Sequence, residues 1–543
     1  MMRRFLPLLF ALAGITAVGR AQLPEVILSG DITGTRTLSR DTAYVLQGFV
    51  NVRAGGVIRI PAGTLIYGDS ASRGSLIINR GGKIWANGQP DLPIVFTSKK
   101  PRGQRKPGDW GGVILCGIAG TNLPGDSAGI EGAGTVFGPG SSFTRNDDDS
   151  SGVLRYVRIE FAGVAFSPNN EINGLTMGAV GRKTVIDHVQ VSFSNDDAFE
   201  WFGGTVNAKY LIAYKALDDD FDTDNGYRGK LQFLLSVRDP NIADVSQSNG
   251  FEADNDASGS TATPRSNPTV SNLTSIGPAR DSNAVVNSLY RRAAHLRRNT
   301  YHGIFNSIMM GWPIGLFIDG SGTAAGAQSD SLQVRNTILA GQQSQLLTTN
   351  ASGFNIVSWF NTTGWGNATY PLPANVQLTA PYDTGAAFNP LPAPGSPALS
   401  GASFGGRLAG DTFFETVTYR GAFGSTRWDQ PWAEYNPQFR DYSRGVLSVR
   451  ERADIPAGFR LEQNYPNPFN PSTKIGFRLQ ASGFTSLKVY DLLGREVATL
   501  VNEVLPAGAY EATMNGSSLS SGTYIYRLTT SNGTLSRKMT LVK

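Results

Sequence analysis

The sequence predicts an all-β protein, in which a long parallel β-solenoid is followed by a small Ig-like β-sandwich. Charged residues make up only 17% of the 543 residues, and Gly is abundant at 64. About a quarter of an ordinary globular chain is charged, and Gly is costly inside helices. Glycine-rich strand patterns recur through the body, and the last part of the chain alternates polar and apolar positions.

The amino terminus has the pattern of a cleaved export signal. Arg3 and Arg4 precede an apolar run over residues 5–18, and small residues flank Arg20. This pattern predicts a signal peptide over residues 1–21 and a mature chain that begins near Gln22. No later segment is apolar for long enough to predict a transmembrane helix.

The body, residues 22–440, contains repeats that predict stacked coils. Residues 54–58 (AGGVI) recur as residues 80–84 (RGGKI). A second frame has an apolar residue two positions before the central residue, and its centres are Tyr156, His188, Tyr210, Asn272, Asn306 and Asn336. The gap between Tyr210 and Asn272 is long enough for one more coil, near Phe233. Because one coil cannot bury its own apolar side, stacking is required, and the Asn side chains are expected to hydrogen-bond from coil to coil.

The last part of the chain, residues 461–543, reads as a small all-β unit after a linker at 441–460. Its ordered motifs are residues 464–471 (NYPNPFNP), 489–497 (VYDLLGREV), 507–510 (AGAY) and 521–528 (SGTYIYRL). Prolines cannot join a central strand, so the first motif marks a boundary. The alternating segments after it predict about seven short strands, as in a β-sandwich.

These four motifs resemble the type A C-terminal sorting domain of the bacterial type IX (Por) secretion system. The residues that carry the resemblance are Asn467, Pro468, Tyr490, Gly494, Gly508, Tyr510, Gly522, Tyr524 and Lys543. The resemblance implies passage through the periplasm and recognition by the type IX translocon at the outer membrane. The protein is then expected to be secreted or displayed on the outer surface.

The body is similar to secreted right-handed β-helix proteins of the pectate-lyase-like class. The likeness is carried by the repeated glycine pairs, by residues 107–114 (PGDWGGVI) and by residues 394–399 (PGSPAL). Residues 413–424 are interpreted as an apolar cap on the last coil. The resemblance favours an extracellular polysaccharide as a ligand, and composition does not favour nucleic acid, because the net charge is only +5.

Two successive coils carry dense acidic segments that predict a cation site. Asp196 lies eight residues after His188, and Asp218 lies eight residues after Tyr210. Asp196 is therefore expected to stack on Asp218, and Asp197 on Asp219, on adjacent strands about 4.8 Å apart. Calcium prefers such oxygen ligands, and the predicted set is Asp196, Asp197, Asp218, Asp219, Asp220, Asp222 and Asp224. One cysteine and three histidines make a zinc site improbable.

Two other interpretations of the acidic coils stay open. The first is a polysaccharide lyase or glycoside hydrolase, in which paired carboxylates act as acid and base; its residues are Asp197, Asp219, Arg228 and Lys230. The second is a solvated polar face without chemistry. Trp201, Phe202, Tyr227 and Trp312 suggest either a sugar-binding surface or core packing. The sequence favours a binding or structural protein, adhesin-like or glycan-contacting, with no catalytic residues.

Overall fold

The structure is a computed structural model that describes residues 22–167, 170–349, 351–443, 445–446, 459–479, 483–505, 508–530 and 533–543. The predicted signal peptide at 1–21 lies outside the described residues. The predicted linker at 441–460 lies partly outside them.

The regular secondary structure of the body is mostly β-strand. Its first strands are β1 (Glu25–Ile32), β2 (Thr35–Thr37), β3 (Ala43–Val52), β4 (Val57–Pro61), β5 (Leu65–Gly68), β6 (Ser75–Ile78), β7 (Lys83–Asn87), β8 (Ile94–Ser98), β9 (Val113–Cys116), β10 (Ala128–Gly129), β11 (Val136–Phe137), β12 (Gly152–Glu160), β13 (Ala165–Ser167), β14 (Asn170–Glu171), β15 (Leu175–Gly178), β16 (Val185–Ser192), β17 (Phe199–Phe202) and β18 (Asn207–Tyr214).

The second half of the body adds two short helices. Its elements are β19 (Phe221–Asp224), β20 (Lys230–Val237), β21 (Phe251–Ala253), β22 (Thr269–Ile276), β23 (Arg292–Leu296), β24 (Gly303–Phe305), β25 (Ile308–Met310), β26 (Ile314–Asp319), α1 (Ser321–Gln328), β27 (Gln333–Arg335), β28 (Ile338–Ala340), β29 (Ser344–Thr349), α2 (Ile356–Phe360), β30 (Ala368–Tyr370), β31 (Leu378–Ala380) and β32 (Asn389–Pro392).

These strands form a right-handed parallel β-helix, as the sequence predicts. Its coils have three faces. Within the described residues, twenty-six strands belong to one sheet. Face A contains β2, β4, β7, β24, β27 and the first halves of β12, β16, β18, β20 and β22. Face B contains the second halves of those long strands with β5, β8, β25, β28 and β30. Face C contains β6, β9, β15, β17, β19, β21, β23, β26 and β29.

The corner between faces A and B is the repeated frame found in the sequence. Its central residues all have left-handed backbone conformations and are Tyr156, His188, Tyr210, Phe233, Asn272, Asn306 and Asn336. The structure thus confirms the extra coil at Phe233. The rings stack from coil to coil, with centroids 4.4 Å apart for Tyr156 and His188 and 4.3 Å apart for His188 and Tyr210.

The Asn side chains at the corner are expected from the sequence to hydrogen-bond from coil to coil. In the structure they bind main-chain groups instead of one another. Asn306 donates to the carbonyl of Ser403 at 3.0 Å, and the amide N–H of Ser403 donates back to the Asn306 Oδ1 at 2.8 Å. Asn272 donates to the carbonyls of Tyr419 and Gly421. The corner amides therefore bind main chain from the end of the body, because that segment covers them.

This covering segment, residues 397–443, is here called the C-terminal strap. It runs from the late coils back towards the amino-terminal end of the solenoid. Gln232 and Gln190 each exchange two hydrogen bonds of 2.8 Å with its backbone, at Glu415 and Glu434 respectively. Residues 413–424 thus lie along the side of the solenoid, not on the last coil as the sequence analysis expects. Tyr442, assigned to the linker, is buried.

The end of the solenoid core is closed by α2 instead. Phe360 is fully buried, and Trp359 donates its indole N–H to the Ala327 carbonyl at 2.9 Å. Inside the coils, Phe199, Phe221 and Phe251 stack in consecutive layers with centroids 5.6 and 5.7 Å apart. This continuous apolar column is what fixes the register of face C.

The C-terminal unit is antiparallel. Its strands are β33 (Arg460–Leu461), β34 (Ser472–Leu479), β35 (Gly483–Tyr490), β36 (Glu496–Leu505), β37 (Gly508–Asn515), β38 (Gly522–Thr530) and β39 (Gly533–Leu541). One sheet has the order β33-β34-β37 and the other β36-β35-β38-β39. Phe477 from the first and Tyr526 from the second belong to one buried apolar cluster, so the unit has two layers around a shared core.

Candidate functional site: an acidic cluster on face C

The outer surface of face C carries one column of acidic side chains. Glu200 pairs in register with Asp222, which pairs with Glu252. Successive side chains on a strand alternate between the two sides of a sheet. Because Phe199 and Phe221 point into the core, the acidic residues beside them point outward. The core packing therefore aligns the carboxylates along the solenoid axis.

The turns that enter these strands add a second acidic stack. The backbone N–H of Asp219 donates to the Asp197 Oδ1 at 2.8 Å, and the N–H of Asn249 donates to the Asp219 Oδ1 at 2.5 Å. Asp197 thus lies one coil below Asp219, as the sequence register predicts. Asp197 and Asp219 are 7% and 5% exposed, so their carboxylates are largely removed from water.

Two groups of carboxylate oxygens come together at this point. One oxygen from each of Asp196, Asp197 and Asp218 lies within 4.8 Å of the others. The same holds for Asp197, Glu200 and Asp222. Sequence reasoning missed Glu200 as a ligand, although its place between the inward-pointing Phe199 and Trp201 is a signal that it points outward.

Burial and mutual repulsion raise the pKa values of these carboxyl groups. Burial is the larger cause for Asp196, followed by the charge of Asp218. For Asp197 the causes are burial and then Asp196, and for Glu200 they are burial and then Asp222. A low-dielectric site with several like charges disfavours ionisation unless a cation compensates. Ionisation of all these carboxyl groups at neutral pH is therefore unfavourable without a bound cation.

Protein cations neutralise only the neighbouring acidic residues. Asp220, which the sequence assigns to the metal set, is fully buried and accepts a 2.8 Å bond from the Arg238 guanidinium. Burial opposes ionisation of Glu252, but His295 and Arg297 lower its pKa. Asp220 is thus committed to an internal ion pair and does not join the cluster.

Asp224 ends β19, two residues after Asp222, and pairs in register with Phe202. Its Oδ1 accepts from the backbone N–H of Asn225 at 2.6 Å. Burial, followed by the charge of Asp254, raises its pKa to about 7. Asp224 is therefore next to the cluster but outside both oxygen groups.

Several oxygens in and beside the cluster are buried without a hydrogen-bond partner. They include the Asp222 Oδ1, the Thr176 Oγ1 and the Asn249 Oδ1. Thr176 is fully buried and lies opposite Glu200 in the register of β15 and β17, and Asn249 is 1% exposed. Buried polar atoms are nearly always satisfied in native proteins, so these oxygens are available to a ligand or to water.

The residues proposed for a catalytic alternative do not gather. Arg228 donates to the Asp147 carboxylate at 3.1 Å, in the turn that leaves face C. Lys230 begins β20 on face A and pairs with Asp411 of the strap. Asp197 and Asp219 are therefore brought together with each other, while both basic residues have acidic partners elsewhere.

Most of the candidate sugar-binding aromatics are core residues. Trp201, Tyr227 and Trp312 are at most 1% exposed. Trp201 stacks on Tyr227 with ring centroids 5.5 Å apart. Phe202 points outward and packs at 5.7 Å from Phe137, under a loop that covers the early coils. These four side chains stabilise the solenoid and present no aromatic platform.

Comparison with known proteins agrees with this architecture. The model of the pectate-lyase-like β-helix domain matches residues 30–371. The chain belongs to the pectate-lyase-like β-helix family. Membership of this family accounts for the fold of the β-helix protein. Because one fold hosts many activities, the activity has to be argued from the site.

A second family model, the secretion system C-terminal sorting domain, matches residues 463–542. The β-helix protein is therefore exported by the type IX route, to the medium or the cell surface. Within the described residues, no helix is long and apolar enough to cross a membrane.

The predicted sorting residues occupy turns, strand ends and the terminal strand contacts. The Asn467 Oδ1 accepts from the Thr540 N–H at 2.9 Å, and the Lys543 ammonium donates to the Ser517 carbonyl at 2.7 Å. The residue after Asn467, Pro468, precedes the Phe469 that bonds to β39. These contacts attach the first motif of the β-helix protein's tail to the end of its chain.

The remaining sorting residues lie on β35, β37 and β38 or in the turn after β35. Tyr490 ends β35, Gly508 begins β37 and Gly522 begins β38, with Tyr510 and Tyr524 two residues later on their strands. Gly494 has φ 80°, a left-handed conformation that suits Gly in the turn.

The other comparisons add little. No curated protein matches the chain. The solved structure of tailspike protein 2 from Escherichia coli O157:H7 bacteriophage CAB120 matches 92% of this chain at 10% identity, with a TM-score of 0.22. The match spans 64% of the length of that tailspike.

Proposed function

We propose that this exported β-helix protein is a non-catalytic binding or structural protein, adhesin-like or glycan-contacting, whose acidic cluster binds Ca²⁺. The observation that carries the proposal is the set of close carboxylates on face C, which form no salt bridge with any cationic side chain among the described residues. Asp196, Asp197 and Glu200 all have raised pKa values. A divalent cation removes the repulsion that raises them.

The chemistry of the cluster fits calcium. Ca²⁺ takes six to eight oxygen ligands at 2.3–2.6 Å, from carboxylates, carbonyls, side-chain oxygens and water. The two oxygen groups offer only carboxylates, and the unpartnered Thr176 hydroxyl adds a neutral oxygen. The set contains no thiolate or imidazole, so it does not favour zinc or copper.

The direct test is thermal unfolding of the full chain with and without Ca²⁺. A ligand that binds only the folded state stabilises it by about 2.7 kcal/mol at a hundred times its Kd. We expect the melting temperature to rise with Ca²⁺, and the Asp197→Asn and Asp222→Asn variants to lose most of this rise. Asp148→Asn, at an exposed residue that pairs with Arg182, is the matched control. No rise at millimolar Ca²⁺ would refute the proposal.

The non-catalytic assignment is supported by the separation of Arg228 and Lys230 from the acidic cluster. Acid–base cleavage of a sugar chain needs its groups around one bond. The purified protein is expected to leave acidic polysaccharides intact in a cleavage screen. Activity that Asp197→Ala and Asp219→Ala both abolish would establish the lyase or hydrolase alternative instead.

A glycan-contacting role has separate support on face A. Trp85 is 42% exposed on β7, and the Arg59 guanidinium lies 5.8 Å from its ring centroid. Asn87 is exposed on the same side of the strand. An exposed aromatic ring beside a cation and an amide suits a sugar ring, which needs an apolar surface and hydrogen-bond donors. Retention on polysaccharide arrays should therefore fall in Trp85→Ala.

A further inference from the structure

The two oxygen groups on face C share one residue. Asp197 belongs both to the group with Asp196 and Asp218 and to the group with Glu200 and Asp222. The first group lies where the turns enter face C, and the second reaches the outer side of β17 and β19. Asp197 thus stands between two neighbouring sets of ligands.

We propose that face C binds two adjacent divalent cations, one in each group, with the Asp197 carboxylate bridging them. The cation at the turns is held by Asp196, Asp197 and Asp218, and the cation at the strands is held by Asp197, Glu200 and Asp222. This inference rests on the proposed calcium binding and adds its stoichiometry and its ligands. A carboxylate has two oxygens and is able to serve a different cation with each.

Geometry argues against one shared ion. Oxygens bound to one Ca²⁺ at 2.3–2.6 Å are at most about 5 Å apart. Among the described residues, only the two three-residue sets meet such a limit, and they meet it separately. A single cation would therefore leave two of the five carboxylates without a bound cation.

Charge leads to the same count. When ionised, the five carboxylates carry a formal charge of −5, and one Ca²⁺ offsets only two of those charges. The nearest protein cations, Arg238 and Arg297, pair with Asp220 and with Glu252 and Asp254. Two cations bring the buried cluster close to neutrality.

The Thr176 hydroxyl supplies an observation independent of the acidic residues. Thr176 is fully buried, its Oγ1 has no hydrogen-bond partner, and it lies opposite Glu200 on the neighbouring strand. Its sequence neighbours Leu175 and Met177 belong to the core cluster, so the hydroxyl points to the outer side that Glu200 occupies. A buried hydroxyl without a hydrogen-bond partner lowers the stability of the fold. Coordination of the cation at the strands gives the Thr176 hydroxyl a partner.

The test counts the ions bound to the full chain by native mass spectrometry and calcium titration calorimetry. We expect two Ca²⁺ for the wild type, one for Asp218→Asn and one for Glu200→Gln. Asp197→Asn removes the bridge, and its affinity for both ions should fall at least tenfold. Asp148→Asn is the control and should keep both ions. Circular dichroism in EDTA checks that each variant is folded.

A second measurement needs no variant. Mn²⁺ replaces Ca²⁺ at oxygen sites, and two Mn²⁺ ions joined by one carboxylate give a spin-coupled EPR spectrum, whereas separate ions give the ordinary six-line spectrum. Two coupled ions support the proposal. One ion in the wild type, or two ions without coupling, overturns it and leaves the proposed function intact. No bound ion at all refutes the proposed function as well.

Discussion

The buried network at the end of the strap gives the sharpest stability prediction. Arg158 and Glu160 are 1% and 0% exposed, and the Arg158 Nε lies 3.3 Å from the Glu160 Oε1. The Tyr442 hydroxyl accepts from Arg158 at 2.9 Å and donates to Glu160 at 2.8 Å. Two side chains of β12 and one from the far end of the strap thus meet inside the protein.

The perturbation is Arg158→Met, which removes the cation and leaves Glu160 buried. Loss of one partner of a buried ion pair costs roughly 3–5 kcal/mol, because the remaining charge stays desolvated. Burial raises the pKa of Glu160, and the charge of Arg105 opposes that rise beside that of Arg158, so some compensation remains. We therefore expect a loss of about 3 kcal/mol in the free energy of unfolding.

Two comparison variants separate the causes. Tyr442→Phe removes hydrogen bonds to charged groups and should cost about 1.5–3 kcal/mol. The double variant Arg158→Met/Glu160→Gln has no charge at either position and should be more stable than Arg158→Met alone. This non-additivity is the signature of a coupled pair.

The assay is urea unfolding followed by tryptophan fluorescence, since the strap contains Trp428 and Trp432, which pack on the corner residue His188. The reasoning is refuted if Arg158→Met costs less than about 1 kcal/mol. It is also refuted if the loss of stability in the double variant equals the sum of the losses in Arg158→Met and in the single variant Glu160→Gln.

Two further predictions concern the cluster and the tryptophans. Burial, the largest cause in each case, raises the pKa of Asp218 to about 6 and that of Asp224 to about 7, from 3.8. The folded metal-free protein then binds more protons than the unfolded chain between about pH 4 and pH 7, so its melting temperature should fall as pH rises through that window. Saturating Ca²⁺ should flatten this dependence, and a metal-free protein that gains stability across the window would contradict the assignment. Trp201→Ala should cost about 3–5 kcal/mol in urea unfolding because it opens the core, whereas Trp85→Ala should change the unfolding free energy by less than about 0.5 kcal/mol.

The coil register was readable from sequence because it depends on local spacing. The frame around Asn272 and Asn306 repeats the same corner in each coil, and that spacing also located Phe233. The same spacing placed Asp196 beside Asp218. Stacked coils need matching apolar positions, so residues at equal offsets from the corner meet across strands.

The strap and the full ligand set were not readable in the same way. Residues 413–424 are apolar, and apolarity alone does not say which surface they cover. Asp220 and Asp222 are two residues apart in one acidic run, yet one pairs with Arg238 inside the protein and the other faces outward. Long-range contacts of this kind depend on loop paths, which local patterns do not encode.

The amino-acid sequence by itself determined the class of fold, the direction of export and the coils on which the acidic residues meet. Each of these follows from periodicity or from an ordered motif, and both are properties of neighbouring residues. Only the tertiary structure decided that Glu200 joins the cluster, that Arg228 and Lys230 lie elsewhere, and that the strap covers the corner. The physical reason is that charge compensation and burial are set by residues that meet only when the chain is folded.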